Sequence, residues 1–205
     1  MERPTVLIIG GAPLVGTAEV ARKIAARWEY GCLSTDDLIQ AVRAVTTSQS
    51  HPQFHLLQQK DHRRYFITNT VNRLTTDLRY QNESVWPAIK KVIEHHIEEG
   101  TGIVIEGWAL LPDKIAKLEL PRVSSFWLVP DEAFFQRQVQ QEHDFFETGP
   151  MEDVFARKFA ARSATINDNI HKAADVHNLP IVQINQGDTI ENITDRCLWK
   201  YRDNR

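Results

Sequence analysis

The amino-acid sequence predicts an α/β fold: a parallel five-stranded sheet with helices on both faces, a helical insertion and a late helix-loop-helix. Three observations carry this. Short apolar runs rich in β-branched residues alternate with amphipathic stretches of helical period, the pattern of a parallel sheet covered on both sides. The first run, Val6 to Ile9, enters a Gly-rich turn (Gly10, Gly11, Gly16), and a helical pattern (Ala18, Val20, Ala21, Ile24, Ala25, Trp28) follows at once. Between residues 46 and 100 the alternation stops and no β-rich run appears.

Strand, glycine loop and helix together make a phosphate cradle. Glycines let backbone N–H groups converge on an anion, and the helix N-terminus adds its partial positive charge. The pattern G-x-x-x-x-G-K-[ST] is met in spacing from Gly11 to Gly16, so Gly11, Ala12, Pro13, Leu14, Val15, Gly16, Thr17 and Ala18 form the candidate phosphate loop. Thr17 stands where lysine is expected and Ala18 where a hydroxyl is expected. Sliding the frame makes Thr17 the Mg²⁺-side hydroxyl with the lysine deleted; the unshifted frame keeps the glycine spacing. Lys23 lies about 9 Å further along the helix axis and is a poor substitute. An ordinary turn between strand and helix, with no ligand, is the plain alternative.

The second strand runs through Gly31 to Leu33 and ends in Ser34, Thr35, Asp36 and Asp37, with a helix from Leu38 to Val45. Asp36 then sits at a strand's carboxyl edge, where open parallel sheets hold ligands. Arg43, seven residues on, shares its helix face. A helix cap by Ser34 or Thr35 explains the same residues without a ligand. Residues 46–100 read as a helical insertion on the substrate side, with amphipathic stretches from Tyr65 to Leu78 and from Val85 to Glu99. The basic cluster Lys60, His62, Arg63 and Arg64 reads as a solvated face, and His51 with His55 lacks the partners of a zinc site. No metal ligand set is expected elsewhere.

Gly102 to Trp108 is the third strand, and its terminal Glu106 needs a partner because an unpaired buried carboxylate is costly. A short helix from Pro112 to Leu118 follows. Ser124 to Pro130 is the fourth strand, and a helix from Asp131 is interrupted at Thr148-Gly149-Pro150. A long helix (Glu152 to His177), a last strand (Pro180 to Asn185) and a closing helix capped by Thr189 complete the chain, with a polar, frayed tail from Lys200. Residues 131–165 form a lid region whose Arg137, Arg157 and Arg162 can close over phosphates or pair with surface carboxylates.

With 205 residues the chain is expected to be one domain, 1–205. The net charge of −3 gives no footprint for nucleic acid. No apolar run reaches the length of a membrane span, and Glu2 and Arg3 lead straight into a strand without a signal-peptide layout, so the expectation is a cytoplasmic protein. Cys32 and Cys197 lack metal or redox spacing and read as buried thiols. Five tryptophans leave room for an apolar interface in a homo-oligomer.

Several segments together resemble the P-loop small-molecule kinases, within them the 2-phosphoglycerate kinase-like branch and its relatives the chloramphenicol phosphotransferases and zeta-toxin-type kinases. They are Ile8-Ile-Gly-Gly-Ala-Pro13, Ser34-Thr-Asp-Asp-Leu-Ile-Gln-Ala-Val-Arg43, Val104-Ile-Glu-Gly-Trp-Ala-Leu-Leu-Pro112 and the arginine-bearing lid. The resemblance implies a P-loop NTPase-type fold that binds ATP and Mg²⁺ and acts on a small-molecule substrate. It implies that Asp36 contacts or deprotonates the acceptor hydroxyl, that Arg43 and Glu106 lie near the acceptor, and that Arg137, Arg157 or Arg162 clasp phosphates. The departure is at Thr17 and Ala18.

Two functions stay open. One is transfer of the γ-phosphoryl group of ATP to a small hydroxylated metabolite such as a phosphorylated hydroxy acid. Asp36 is then the base, Mg²⁺ is held through water by Glu106, Asp36 or Asp37, and Arg162 stands in for the lysine. The other is a non-catalytic relative that binds a nucleotide, a phosphometabolite or a protein partner through the same cleft. Specificity would lie in the helical insertion.

Overall fold

In a computed structural model, which describes residues 2–55, 62–118, 120–145 and 150–201, the predicted five-stranded parallel sheet is present. Its strands are β1 (Val6–Gly11), β2 (Gly31–Ser34), β3 (Ile103–Gly107), β4 (Val123–Pro130) and β5 (Ile181–Ile184), in the spatial order β2-β3-β1-β4-β5. All four pairings are parallel. Every residue of β1 is buried, as a central strand covered on both faces requires. In register, Ile9 lies opposite Glu106 and Gly10 opposite Gly107, while Ser34 also lies opposite Glu106.

Helix α1 (Thr17–Trp28) buries Val20, Ala21, Ile24, Ala25 and Trp28, the stripe its sequence period predicts. Its outer face meets α9 (Ile190–Leu198) through ion pairs of Lys23 and Arg27 with Glu191 and Asp195. Lys23 is therefore committed away from the phosphate loop. As expected, Thr189 caps α9, its hydroxyl accepting from the Asn192 N–H at 3.2 Å. The 3-10 turn Trp199–Tyr201 closes the described chain, and the expected frayed tail beyond it lies outside the described residues.

Helix α2 (Thr35–Ala44) starts three residues earlier than its apolar pattern suggests, because Ser34 is its cap and accepts from the Asp36 N–H. Asp36 thus lies in the first turn of a helix rather than at the end of a strand. The insertion is helical, as expected: α3 (Pro52–His55), α4 (His62–Thr68) and α5 (Val71–Glu99). The two amphipathic stretches read from the sequence are divided differently. Thr70 caps α5 and separates it from α4, and α5 then runs unbroken through Pro87. The apolar period lapsed at Gln81 and Asn82, yet both are buried, Asn82 donating to the Trp108 carbonyl at 3.1 Å.

After β3 come α6 (Pro112–Ile115), α7 (Glu132–Phe145) and α8 (Pro150–Val176). The expected interruption at Thr148 and Gly149 lies outside the described residues, as does Lys60 of the basic cluster. Helix α8 packs on α4, α5, α6 and β4. A second apolar cluster of Tyr65, Phe66, Leu74 and Phe155, joined by Ile67 and Phe159, fastens α4 to α8. Lys158 of α8 ties the same joint, donating to the carbonyls of Ile67 at 2.5 Å and Asn69 at 2.7 Å.

Of the two cysteines, Cys197 is buried, and its burial pushes the thiol up to about 12. Cys32 lies exposed on edge strand β2, which corrects the expectation that both are buried. Among the described residues no helix is long and apolar enough to cross a membrane.

At the end of β3, Gly107 has φ 130°, and a Cβ there would overlap the Thr35 hydroxyl of α2. A side chain is both strained and obstructed at this point. Gly107→Ala is expected to destabilise the chain by about 2 kcal/mol or more, read as a lowered urea midpoint at unchanged slope.

Candidate functional site

At the carboxyl ends of β1, β2 and β3 lies a cleft of about 750 Å³, a size suited to a small-molecule ligand. Its floor is the β1–α1 loop. Gly16 precedes α1 with φ 81° and no side-chain cap, and the first helical bond runs from the Val20 N–H to the Gly16 carbonyl. The amides of the first turn therefore have no helical acceptor and can meet an anion. A Cβ at Gly11 would approach Val15 Cγ2 to 2.6 Å and Thr17 Cγ2 to 2.8 Å, so the loop folds tightly over β1. Val15 is wholly buried, whereas Pro13 and Leu14 are half-exposed, and Leu14 takes the left-handed φ of 72°. The bulkier loop residues leave the cleft open.

Thr17, in the lysine position, donates its hydroxyl to Glu106 Oε2 at 2.7 Å. The β1/β3 register dictates this pairing, because it sets Glu106 beside the root of the loop. Glu106 is 5% exposed, and a neutral hydroxyl is its hydrogen-bond partner. The pair offers a divalent cation a hydroxyl and a carboxylate side by side, which fits a hard cation with oxygen ligands. The slid frame made Thr17 the Mg²⁺-side hydroxyl; the structure sets that hydroxyl on Glu106.

The far wall comes from α2, β3 and α8. Asp36 accepts a hydrogen bond from the Trp108 indole N–H. Crowding by protein holds the Asp36 carboxyl above the usual range; the Trp108 donation opposes this and Asp37 adds to it. Arg162 is 4% exposed, lines the cleft and is boxed by aromatic rings. Its Cζ lies 4.6 Å from the Phe66 ring centre, 5.3 Å from Phe159 and 5.5 Å from Trp108. Its Nε has no hydrogen-bond partner among the described residues, and desolvation lowers its pKa to about 10.

Of the residues singled out by sequence, the cleft brings together Ala12 to Ala18, Asp36, Glu106, Arg137 and Arg162. Arg137 stands over the Phe134 ring at 5.3 Å on the lid side. Gly11 supports the loop from beneath, and exposed Asp37 acts on Asp36 only through its charge. Arg43 is not in the cleft: its Nε donates to the Phe54 carbonyl at 2.6 Å and its Nη1 to Gln40 at 2.8 Å, fastening α3 to α2. Arg157 is exposed and turned to the Asp153 carbonyl. His51 and His55 bond Ser50 and Thr46, and among the described residues no group of three or more metal-ligating side chains occurs. Sequence reasoning did not single out Trp108, Phe66 or Phe159 as site residues; Phe66 and Phe159 lie close behind the basic pairs Arg63-Arg64 and Arg157-Lys158, and nothing local marks them.

A parallel sheet of order 2-3-1-4-5, a glycine loop opening onto α1, and an acidic residue from β3 against the loop define the architecture. Superposition agrees with a gluconokinase from Sinorhizobium meliloti (TM-score 0.54, 12% identity, 97% of this chain and 92% of that one). It agrees equally with a shikimate kinase from Bacteroides thetaiotaomicron (TM-score 0.53, 12% identity, 96% and 98%). The chain has the fold of the P-loop kinases. In sequence this kinase-fold chain is similar to the 2-phosphoglycerate kinase of Methanopyrus kandleri, at 25% identity over 186 residues. The match covers 88% of this chain but 56% of that relative, so the chain spans little more than half its length. No protein-family model matches the sequence.

The Asp36 pKa has a consequence for stability. Its folded value lies above the unfolded one, so the native state keeps the extra proton between the two, and stability falls as pH rises through that interval. Asp36→Asn is expected to flatten the decline in denaturation midpoint upward from about pH 4. Trp108→Phe removes the donation that favours the ionised form, so NMR titration of the Asp36 carboxyl should give a midpoint above that of the native chain. A midpoint at or below the native one would refute the coupling.

Proposed function

We propose that this chain is a phosphotransferase that moves the γ-phosphoryl group of ATP to a hydroxyl of a small metabolite, in the manner of the kinases it resembles. The observation that carries the reading is the joint placement, in one cleft, of the uncapped α1 amides, the Thr17–Glu106 pair and the Asp36 carboxylate. ATP supplies the transferable group, and a divalent cation neutralises its charge. The loop amides hold phosphate oxygens, and Thr17 with Glu106 holds the cation directly or through water. Asp36 orients the acceptor hydroxyl and takes its proton as the oxygen bonds to the γ-phosphorus and the bond to the β-phosphate oxygen breaks. Its elevated pKa makes it a better proton acceptor than an ordinary aspartate. In this reading Arg137, which lines the lid side of the cleft, meets the phosphates. Similarity to 2-phosphoglycerate kinase suggests a phosphorylated hydroxy acid as acceptor.

The test is ADP release from ATP and Mg²⁺ with 2-phosphoglycerate as acceptor. Asp36→Asn is expected to lower kcat by about 100-fold or more, with ATP binding retained. Equal turnover by this variant would remove Asp36 from the proposed chemistry.

A second reading is favoured by one observation: the position of the loop lysine holds Thr17, whose hydroxyl is engaged by Glu106. In that reading the chain binds a nucleotide, a phosphometabolite or a protein partner without transfer. Calorimetric titration with ATP separates the two. Mg²⁺-dependent micromolar binding by the native chain supports the kinase. Absence of native binding, with recovery in Thr17→Lys/Ala18→Ser, supports the non-catalytic relative.

A further inference from the structure

Resting on the phosphotransfer reading of the same cleft, we propose that Arg162 belongs to the acceptor rather than to the nucleotide. The acceptor it selects is a short hydroxylated carboxylate or phosphomonoester. Lid arginines that close on a nucleotide are free to swing. Arg162 is fixed: α8 is bound to α4 by the Phe66, Phe155 and Phe159 cluster and by Lys158 on the carbonyls of Ile67 in α4 and Asn69 just beyond it. Its guanidinium is already in place before any ligand arrives.

A guanidinium at 4% exposure needs compensation. Three ring faces offer part of it. They satisfy no N–H donor, and among the described residues Nε has no acceptor. The neighbouring Tyr65 is a neutral phenol, and its hydroxyl donates to Asp77. Among the described residues no carboxylate pairs with this planar fork of donors, which lines the cleft and is matched by a carboxylate or phosphate.

The same indole fixes where the acceptor's hydroxyl must be. Trp108 presents its ring face to Arg162 and its N–H edge to Asp36, the proposed proton acceptor. A ligand whose anion rests on Arg162 and whose hydroxyl reaches Asp36 spans one indole, which is the reach of a compound of about three or four carbons. A sugar without an anionic group fills the span and leaves the guanidinium bare, so the site discriminates against it.

The experiment is calorimetric titration of the whole chain, without nucleotide, using 2-phosphoglycerate, glycerate and glycerol. The acids are expected to bind and glycerol to fail. Arg162→Met is expected to weaken acid binding by about 30-fold or more while ATP affinity stays within about threefold. Arg162→Lys, which keeps the charge and loses the fork, should fall between them. It also serves if the methionine variant does not fold. Glycerol binding as tightly as the acids, no acid binding at all, or loss of ATP affinity in place of acid affinity would each overturn the assignment. Because no nucleotide is present, failed ADP release counts against phosphotransfer alone, and failed acid binding counts against Arg162 alone.

Discussion

The register of β1 against β3 is the constraint on which the rest of the cleft depends. With Ile9 opposite Glu106 and Gly10 opposite Gly107, the acidic residue lies at the root of the glycine loop. Its carboxylate then meets the first side chain of α1, Thr17. One residue of slippage would turn Glu106 to the other face of the sheet and separate the two. The same register ends β3 at Gly107, whose positive φ and missing Cβ let the chain pass the Thr35 hydroxyl. Trp108 thereby arrives beside Asp36. The glycine loop, the Thr17–Glu106 pair and the Asp36–Trp108 pair are thus three outcomes of one strand pairing.

How much of this was legible follows from which interactions are local. The strands were readable because each is a short apolar run between polar turns, and β1 announced itself through the glycines behind it. Helix α1 was readable because its buried stripe keeps a strict period. Helix α5 was not, since Gln81 and Asn82 are buried polar residues, Asn82 donating to the distant Trp108 carbonyl, and a period count treats them as solvent-facing. Asp36 was found, but on the wrong element, because the cap at Ser34 draws the helix start forward.

The arginines show the limit more sharply. Arg157 and Arg162 lie five residues apart on α8, which places them about 140° apart around the helix, so one in the cleft requires the other outside it. Sequence spacing says that only one can serve, and the packing of α8 on α4 decides which. Arg43 shares a face with Asp36, as its spacing requires, but its guanidinium finds the Phe54 carbonyl first. The aromatic box around Arg162 draws Phe66 from α4, Trp108 from the end of β3 and Phe159 from α8. Nothing in a linear pattern relates those three positions.

Replacing an ammonium by the Thr17 hydroxyl has an effect that reaches past the contact itself. A lysine at that position would cancel the Glu106 charge; a threonine leaves it standing at the base of the loop. Negative charge on Glu106, at the root of the loop, then faces the positive Arg162 on the far wall, so the cleft carries opposite charges across its width. A ligand with separated charges entering such a field is turned before it touches any side chain. A cleft charged in this way would orient a ligand as well as hold it.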